Sequence, residues 1–293
     1  MKLEEYLSEK YSKSTLYSNL FNIKRFTDYY QEKAQTASYS DILSYIEHLR
    51  KNYDLHPKTL RHNLSGVKIY FNYLLETGQR NDHPCSTLYL KDKINKQIQV
   101  DNLFSVETLE SLYQNYKIRR KSVLLRRNQI IISLLIYQAL LPREIIALQL
   151  SDIDLENGLI HIKGYIHQKS RTLKLEAKQI LLMYKYLSEE RKTLLKTYQG
   201  NPSETAFLVG QYGEPFQDHT GISRIINDNR KPSEKIQPIK IRQSVIANLL
   251  KKENDTRIVQ VFAGHSRAST TIQYKQNDLE VLQAAVNQYH PLK

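Results

Sequence analysis

The chain has no tryptophan, a single cysteine (Cys85) and only two methionines among its 293 residues. One thiol closes no internal disulfide and builds no cysteine-based metal site. No tight His/Asp/Glu cluster of metal-ligand spacing stands in for one. No apolar run reaches the ~18 residues a membrane helix needs. The opening Met1-Lys2-Leu3-Glu4-Glu5-Tyr6 lacks the apolar core of a secretory leader. Repeats and low-complexity tracts are missing as well. A reduced, cytoplasmic protein without metal or cofactor is expected. Acidic residues are also scarce: 30 Asp+Glu against 43 Lys+Arg give a net charge of +13 and a pI near 9.5. Residues 1–99 hold 15 basic and 11 acidic side chains, and the remainder carries +9, so the excess is not a detachable tail. Such a balance concentrates polyanions, of which nucleic acid is the commonest.

What is present suits a folded protein. Hydrophobic residues make up 40% and charged residues 25%, enough for a packed core and against disorder along the whole chain. At roughly 100–200 residues per domain, the length suggests two domains. The first hundred residues read as helical: Leu16, Leu20, Ile23 and Phe26 share one face, and Ser40-Asp41 caps a run carrying Ile42, Tyr45, Ile46 and Leu49. A third run starts near His56-Pro57 and carries Leu60, Leu64, Val67, Phe71 and Leu74 before Gly78. Lys24, Arg25, Lys58, Arg61, His62 and Lys68 lie between these stripes, as a solvated face or as a grip on a phosphate backbone. A polar stretch around residues 91–102 reads as a linker. Beyond it, helices are expected at Val106–Tyr116, Leu124–Leu140, Pro142–Leu148, Ala177–Leu195, Ile241–Leu250, Thr256–Ala263, Ser269–Tyr274 and Leu279–Tyr289. Leu159–Ile162 and Thr172–Leu175 read as two short strands around a cationic turn.

Near the C-terminus stands Ala263-Gly264-His265-Ser266-Arg267-Ala268-Ser269-Thr270-Thr271-Ile272-Gln273-Tyr274, with Ile241-Arg242-Gln243-Ser244 upstream. These residues resemble the tyrosine recombinases, or phage integrase family, of Xer-like and mobile-element type. The family places an arginine helix, a Gly-His turn and a nucleophilic Tyr nine residues after that His. The resemblance covers nearly the whole chain. It implies a mainly α fold with a small β-hairpin: a helical, SAM-like core-binding domain at 1–90, a linker at 91–102 and an α+β catalytic domain at 103–293. It implies site-specific recombination of double-stranded DNA through a covalent 3′-phosphotyrosine, by a homo-tetramer on two DNA sites. Tyr274 is then the nucleophile, Arg242 a phosphate clamp and His265 a hydrogen-bond or proton partner. A tyrosine ester conserves bond energy without ATP or metal, and arginine forks suit phosphoryl oxygens.

Two positions depart from the family pattern. Its second-arginine motif begins with His three residues before Arg242, where this chain has Ile239. Its first arginine sits three residues before a Glu, and with Glu144 as anchor that position is Leu141. Arg143 is assigned the role instead, because Pro142 favours the first helical position and puts Arg143 in the opening turn; a surface arginine beside Glu144 is the alternative. The family's hairpin lysine maps to Lys169 first and Lys163 second, and His167 lies in the same loop. Leu279, Leu282, Val286 and Tyr289 form an apolar stripe suited to a neighbouring subunit or to the chain's own domain. The rival reading is a recombinase fold that has lost catalysis and acts as a DNA-binding architectural factor. A tyrosine-using topoisomerase of the same fold is a third.

Overall fold

The computed structural model describes residues 2–93, 98, 100–116, 124–166, 168–196, 205–216, 219–228 and 230–275. The expected terminal helix and His167 lie outside them. The chain forms two compact units, residues 1–96 and 97–293. The stretch read as a linker is divided between them. Asp92 accepts from Arg50 and Arg61 inside the first unit, whereas Val100 and Leu103 pack within the second.

Among the described residues, the first unit has four α-helices: α1 (Leu3–Lys10), α2 (Lys13–Tyr30), α3 (Tyr39–Tyr53) and α4 (Pro57–Glu76). α1 was not anticipated; with eight residues it is too short for a strong period, and Tyr6 and Leu7 alone sink into the core. The cap of α3 is Ser38, two residues before the expected Ser40. Ser38 Oγ accepts from the Asp41 amide while the Asp41 carboxylate takes the Ser38 amide, a reciprocal box that satisfies two orphan donors. His56 caps α4 through Nδ1, with Pro57 at the first helical position. The core is aromatic: the Phe26 ring meets Tyr45 and Phe71 edge-on at 5.2 and 5.9 Å. α2 and α4 touch at Gly66, where an added Cβ would fall 2.5 Å from the Asn22 Cβ. That approach outweighs the cost of a mid-helix glycine.

The basic side chains of this unit divide by their contacts. Arg61 donates to the Asp92 carbonyl and Lys68 to that of Ser86, both within the fold. Arg25 lies against the Phe21 and Tyr53 rings at 5.0 and 5.1 Å. Lys24 and Lys58 are exposed.

The second unit packs nine helices, among the described residues, around a three-stranded antiparallel meander. The strands are β1 (Ile153–Asp154), β2 (Leu159–Ile162) and β3 (Arg171–Lys174), with Ile153 opposite Ile160 and Ile160 opposite Leu173. β3 starts one residue earlier than the sequence suggests, because Arg171 pairs with Ile162. α5 (Val106–Gln114) leads to α6 (Leu125–Tyr137), in which every residue from 130 to 136 is buried. A helix apolar on all sides belongs at the centre of a domain. α7 (Pro142–Ile146) follows, then α8 (Ala177–Lys185), a π turn (Tyr186–Glu190) and α9 (Arg191–Lys196), where one continuous helix was expected. α10 (His219–Ile226) was missed; its buried Ile222, Ile225 and Ile226 span little more than one turn. α11 (Pro238–Lys251), α12 (Thr256–Ala263) and α13 (Ala268–Ile272) complete the unit. No described helix is long and apolar enough to cross a membrane.

Candidate active site

α11 carries Arg242 on its buried face, 2% exposed. Its two terminal nitrogens donate to the carbonyls of Ala139, after α6, and Ala263, at the end of α12. Ala139 adopts a left-handed backbone, φ +51°, unusual for a residue with a Cβ. Burial pushes the Arg242 guanidinium down to about 10, against the pull of nearby Glu144, so it stays cationic at neutral pH.

α12 is capped at its start by Asp255, which accepts from the amides of Arg257 and Ile258, and stopped by Gly264 at φ +69°. Only glycine fits there, since a Cβ would lie 2.6 Å from an Arg171 nitrogen and 3.0 Å from the Lys169 carbonyl. The turn delivers His265, whose Nδ1 lies 2.9 Å from the Thr271 hydroxyl on α13. With Nδ1 accepting that proton, Nε2 carries the imidazole hydrogen and is left to donate. Burial, joined by the charges of Arg242 and Arg171, pushes His265 down to about 4.

Tyr274 follows α13, 7% exposed among Ile246, Ala247, Leu250, Val259 and Ala263. Its ring stacks on that of His265, centroids 6.2 Å apart and planes 14° from parallel. Burial pushes the phenol up, while Arg242 and Gln243 pull it back. The structure therefore brings Arg242, His265 and Tyr274 together from three separate segments.

The hairpin between β2 and β3 leans on the same turn. Tyr165 and Gln168 pair across its tip, and the Lys169 amide donates to the Gly264 carbonyl at 2.8 Å. The Lys169 side chain is exposed and makes no ion pair among the described residues, whereas Lys163 sits 3.5 Å from Asp152. Pro142 occupies the first helical position of α7, and Arg143 behind it is exposed, its guanidinium 5.3 Å over the Tyr165 ring. Arg143 thus lies against the hairpin, and its charge still acts on Arg242. Leu141 is the N-cap, and Ile239 is 41% exposed on the first turn of α11.

The back of the site is a buried pair that the sequence motifs do not contain. Arg171 forks onto Glu144 at 2.7 and 3.1 Å. Burial raises the Glu144 carboxyl, but the bonds and charge of Arg171 outweigh it and hold it low. Alternation along β3 was the available signal: Arg171 shares the inward face with Leu173. Among the described residues no group of three or more His, Cys, Asp or Glu could hold a metal ion.

His265 makes stability depend on pH. Its folded value near 4 lies below the ordinary 6.5, so the unfolded chain binds the proton more readily. The contribution is complete above about pH 6.5 and is lost as pH falls towards 4, roughly 3 kcal/mol over that window. Glu144 acts in the same direction through the carboxylate range. Urea midpoints between pH 7.5 and 4.5 should fall less steeply in His265→Gln than in the parent; parallel slopes would assign the loss elsewhere.

Comparison with known proteins gives the family. The chain belongs to the phage integrase family, whose model matches residues 103–280, with the family's N-terminal SAM-like domain at residues 2–80. Within it, the chain is a tyrosine recombinase of Xer-like type, a site-specific DNA recombinase. It is 25% identical over 288 residues to tyrosine recombinase XerD of Oceanobacillus iheyensis, covering 96% of this chain and 93% of that one. Identity is 27% over 240 residues to tyrosine recombinase XerC of Thermodesulfovibrio yellowstonii, covering 80% and 76%. The fold is similar to that of XerH site-specific recombinase bound to difH substrate in a pre-cleavage complex (TM-score 0.70, 21% identity, 93% of this chain and 78% of that one). It is also similar to the Tn1549 transposon integrase in complex with transposon right end DNA (TM-score 0.66, 14% identity, 98% and 97%).

Proposed function

We propose that Tyr274 attacks a phosphodiester of double-stranded DNA, forming a Tyr–O–P bond and a 3′-phosphotyrosine while the bond to the 5′-oxygen breaks and the phenolic proton passes to water. The freed 5′-hydroxyl of a partner strand reverses the step and reseals the backbone. No bond energy is lost, so no nucleotide or metal enters the balance. Arg242 and Arg143 stabilise the charge growing on the non-bridging oxygens, one from the interior and one from the exposed start of α7. His265, neutral at working pH, donates from Nε2 to the same oxygens. Lys169, exposed at the hairpin tip, protonates the leaving 5′-oxygen. The active assembly is a homo-tetramer on two DNA sites, whose strands are exchanged in pairs.

The observation that carries this reading is the stacking of His265 on Tyr274 beside a buried, cationic Arg242. A nicked suicide substrate, which loses the short strand on cleavage, should trap a protein–DNA adduct, and digestion should map the attached nucleotide to the Tyr274 peptide. EDTA should leave the yield unchanged. No adduct on the chain's own site would favour the architectural reading, and a magnesium-dependent cut without adduct would point to a nuclease.

A further inference from the structure

Glu144 is a fully buried carboxylate with two guanidinium groups beside it, and the two are not equivalent. Arg171 takes both oxygens in a fork, and the two side chains are 1% and 0% exposed. Arg242 stands 3.7 Å from Oε2, beyond hydrogen-bond distance, because its terminal nitrogens serve the Ala139 and Ala263 carbonyls. The Leu141 amide completes the carboxylate's bonds at 2.8 Å. Arg171 is confined by its surroundings: its guanidinium lies against Gly264, the residue before His265, and its Nε is buried with no partner.

We infer that Arg171 is a positioning residue for strand cleavage: by neutralising Glu144 it leaves the positive charge of Arg242 uncompensated and available to the attacked phosphate. The three buried groups carry one net positive charge. Without Arg171 they would carry none, and Glu144 would draw Arg242 away from the carbonyls that aim it. In a dry interior the loss is poorly screened by water. The role is specific to this arrangement, because position 141 supplies a leucine and no further guanidinium to the same cluster.

The inference rests on the proposed phosphoryl-transfer site, and the test separates the two. Single-turnover adduct formation on the nicked substrate is measured for the parent and for Arg171→Met, Arg171→Lys and the double variant Arg171→Met/Glu144→Gln, alongside DNA affinity. If the parent forms no adduct, the proposed site itself has failed. Given a cleaving parent, Arg171→Met should slow adduct formation by about 10²–10³-fold, the scale of one lost electrostatic donor, with DNA affinity nearly unchanged. The double variant removes the carboxylate together with its neutraliser and restores the net charge, so its rate should return to within about tenfold of the parent. A loss of mere packing would not be repaired by a second polar change. Arg171→Lys keeps the charge and should retain most of the rate. A parental rate in Arg171→Met overturns the inference, and so does a folded double variant that stays as slow as Arg171→Met. Should Arg171→Met not fold, the double and lysine variants carry the test alone: cleavage by both supports the inference, and a folded, inactive double variant overturns it.

Discussion

Tyr274→Phe is expected to abolish covalent capture of DNA while leaving the fold and the DNA affinity intact. The ring packs among Ile246, Ala247, Leu250, Val259 and Ala263, and phenylalanine keeps every one of those contacts. The hydroxyl sits in a buried environment that favours its neutral form, so deleting it removes no charge from the resting protein. What disappears is the atom that bonds to phosphorus. Loss of a covalent nucleophile acts on the order of 10⁶ in rate, which on a nicked substrate reads as no adduct. His265 stacks nearly parallel on Tyr274. The side-chain hydrogen bond at the Tyr274 phenol is with Gln243, which leaves His265 free to serve the phosphate oxygens. Gel-shift affinity close to the parent, with no covalent band after denaturation, is the expected pair of results. A persistent band in Tyr274→Phe would move the nucleophile to another tyrosine.

Much of this molecule can be read along the chain where the determinants are local. α12 matches its expected bounds because Asp255 and Gly264 punctuate it at both ends. β2 matches because Leu159–Ile162 alternates between faces. The convergence of Arg242, His265 and Tyr274 was approachable because the Gly-His turn and the following helix are close in sequence. Determinants that act across the fold were not legible. Glu144 and Arg171 lie 27 residues apart, and although alternation along β3 turns Arg171 inward, nothing near either one names its partner. The left-handed turn at Ala139, which aims a carbonyl at Arg242, is hidden because alanine, unlike glycine or asparagine, does not signal such a backbone. Ser38 rather than Ser40 caps α3 because Asp41 stands three residues on and closes the box, a choice that adjacent serines conceal. α1 and α10 escape because a helix of eight residues gives a weak period and draws its stability from tertiary packing.

Arg242→Ala is expected to damage both chemistry and stability, and the two losses have different origins. The guanidinium is the buried charge nearest the stacked rings, and removing one preorganised donor costs about 10²–10³ in rate. The same side chain ties the end of α6 to the end of α12 through two carbonyls. Without it, both carbonyls are left unpaired in the interior, at about 1–3 kcal/mol each. Glu144 softens the blow, since its main partner is Arg171 and it is not orphaned. A loss of roughly 2–6 kcal/mol follows, read as a lower urea midpoint. Arg242→Lys separates the two effects. An ammonium keeps the charge but is a compact point that cannot bridge two divergent carbonyls as a planar fork does. It should recover part of the cleavage rate and little of the stability. If Arg242→Lys instead restores stability without rate, the guanidinium must contact the phosphate in a geometry that lysine cannot copy. If Arg242→Ala cleaves at the parental rate, the charge on the attacked phosphate is met without this arginine, and Arg143 on α7 and Lys169 at the hairpin are the next cations to remove.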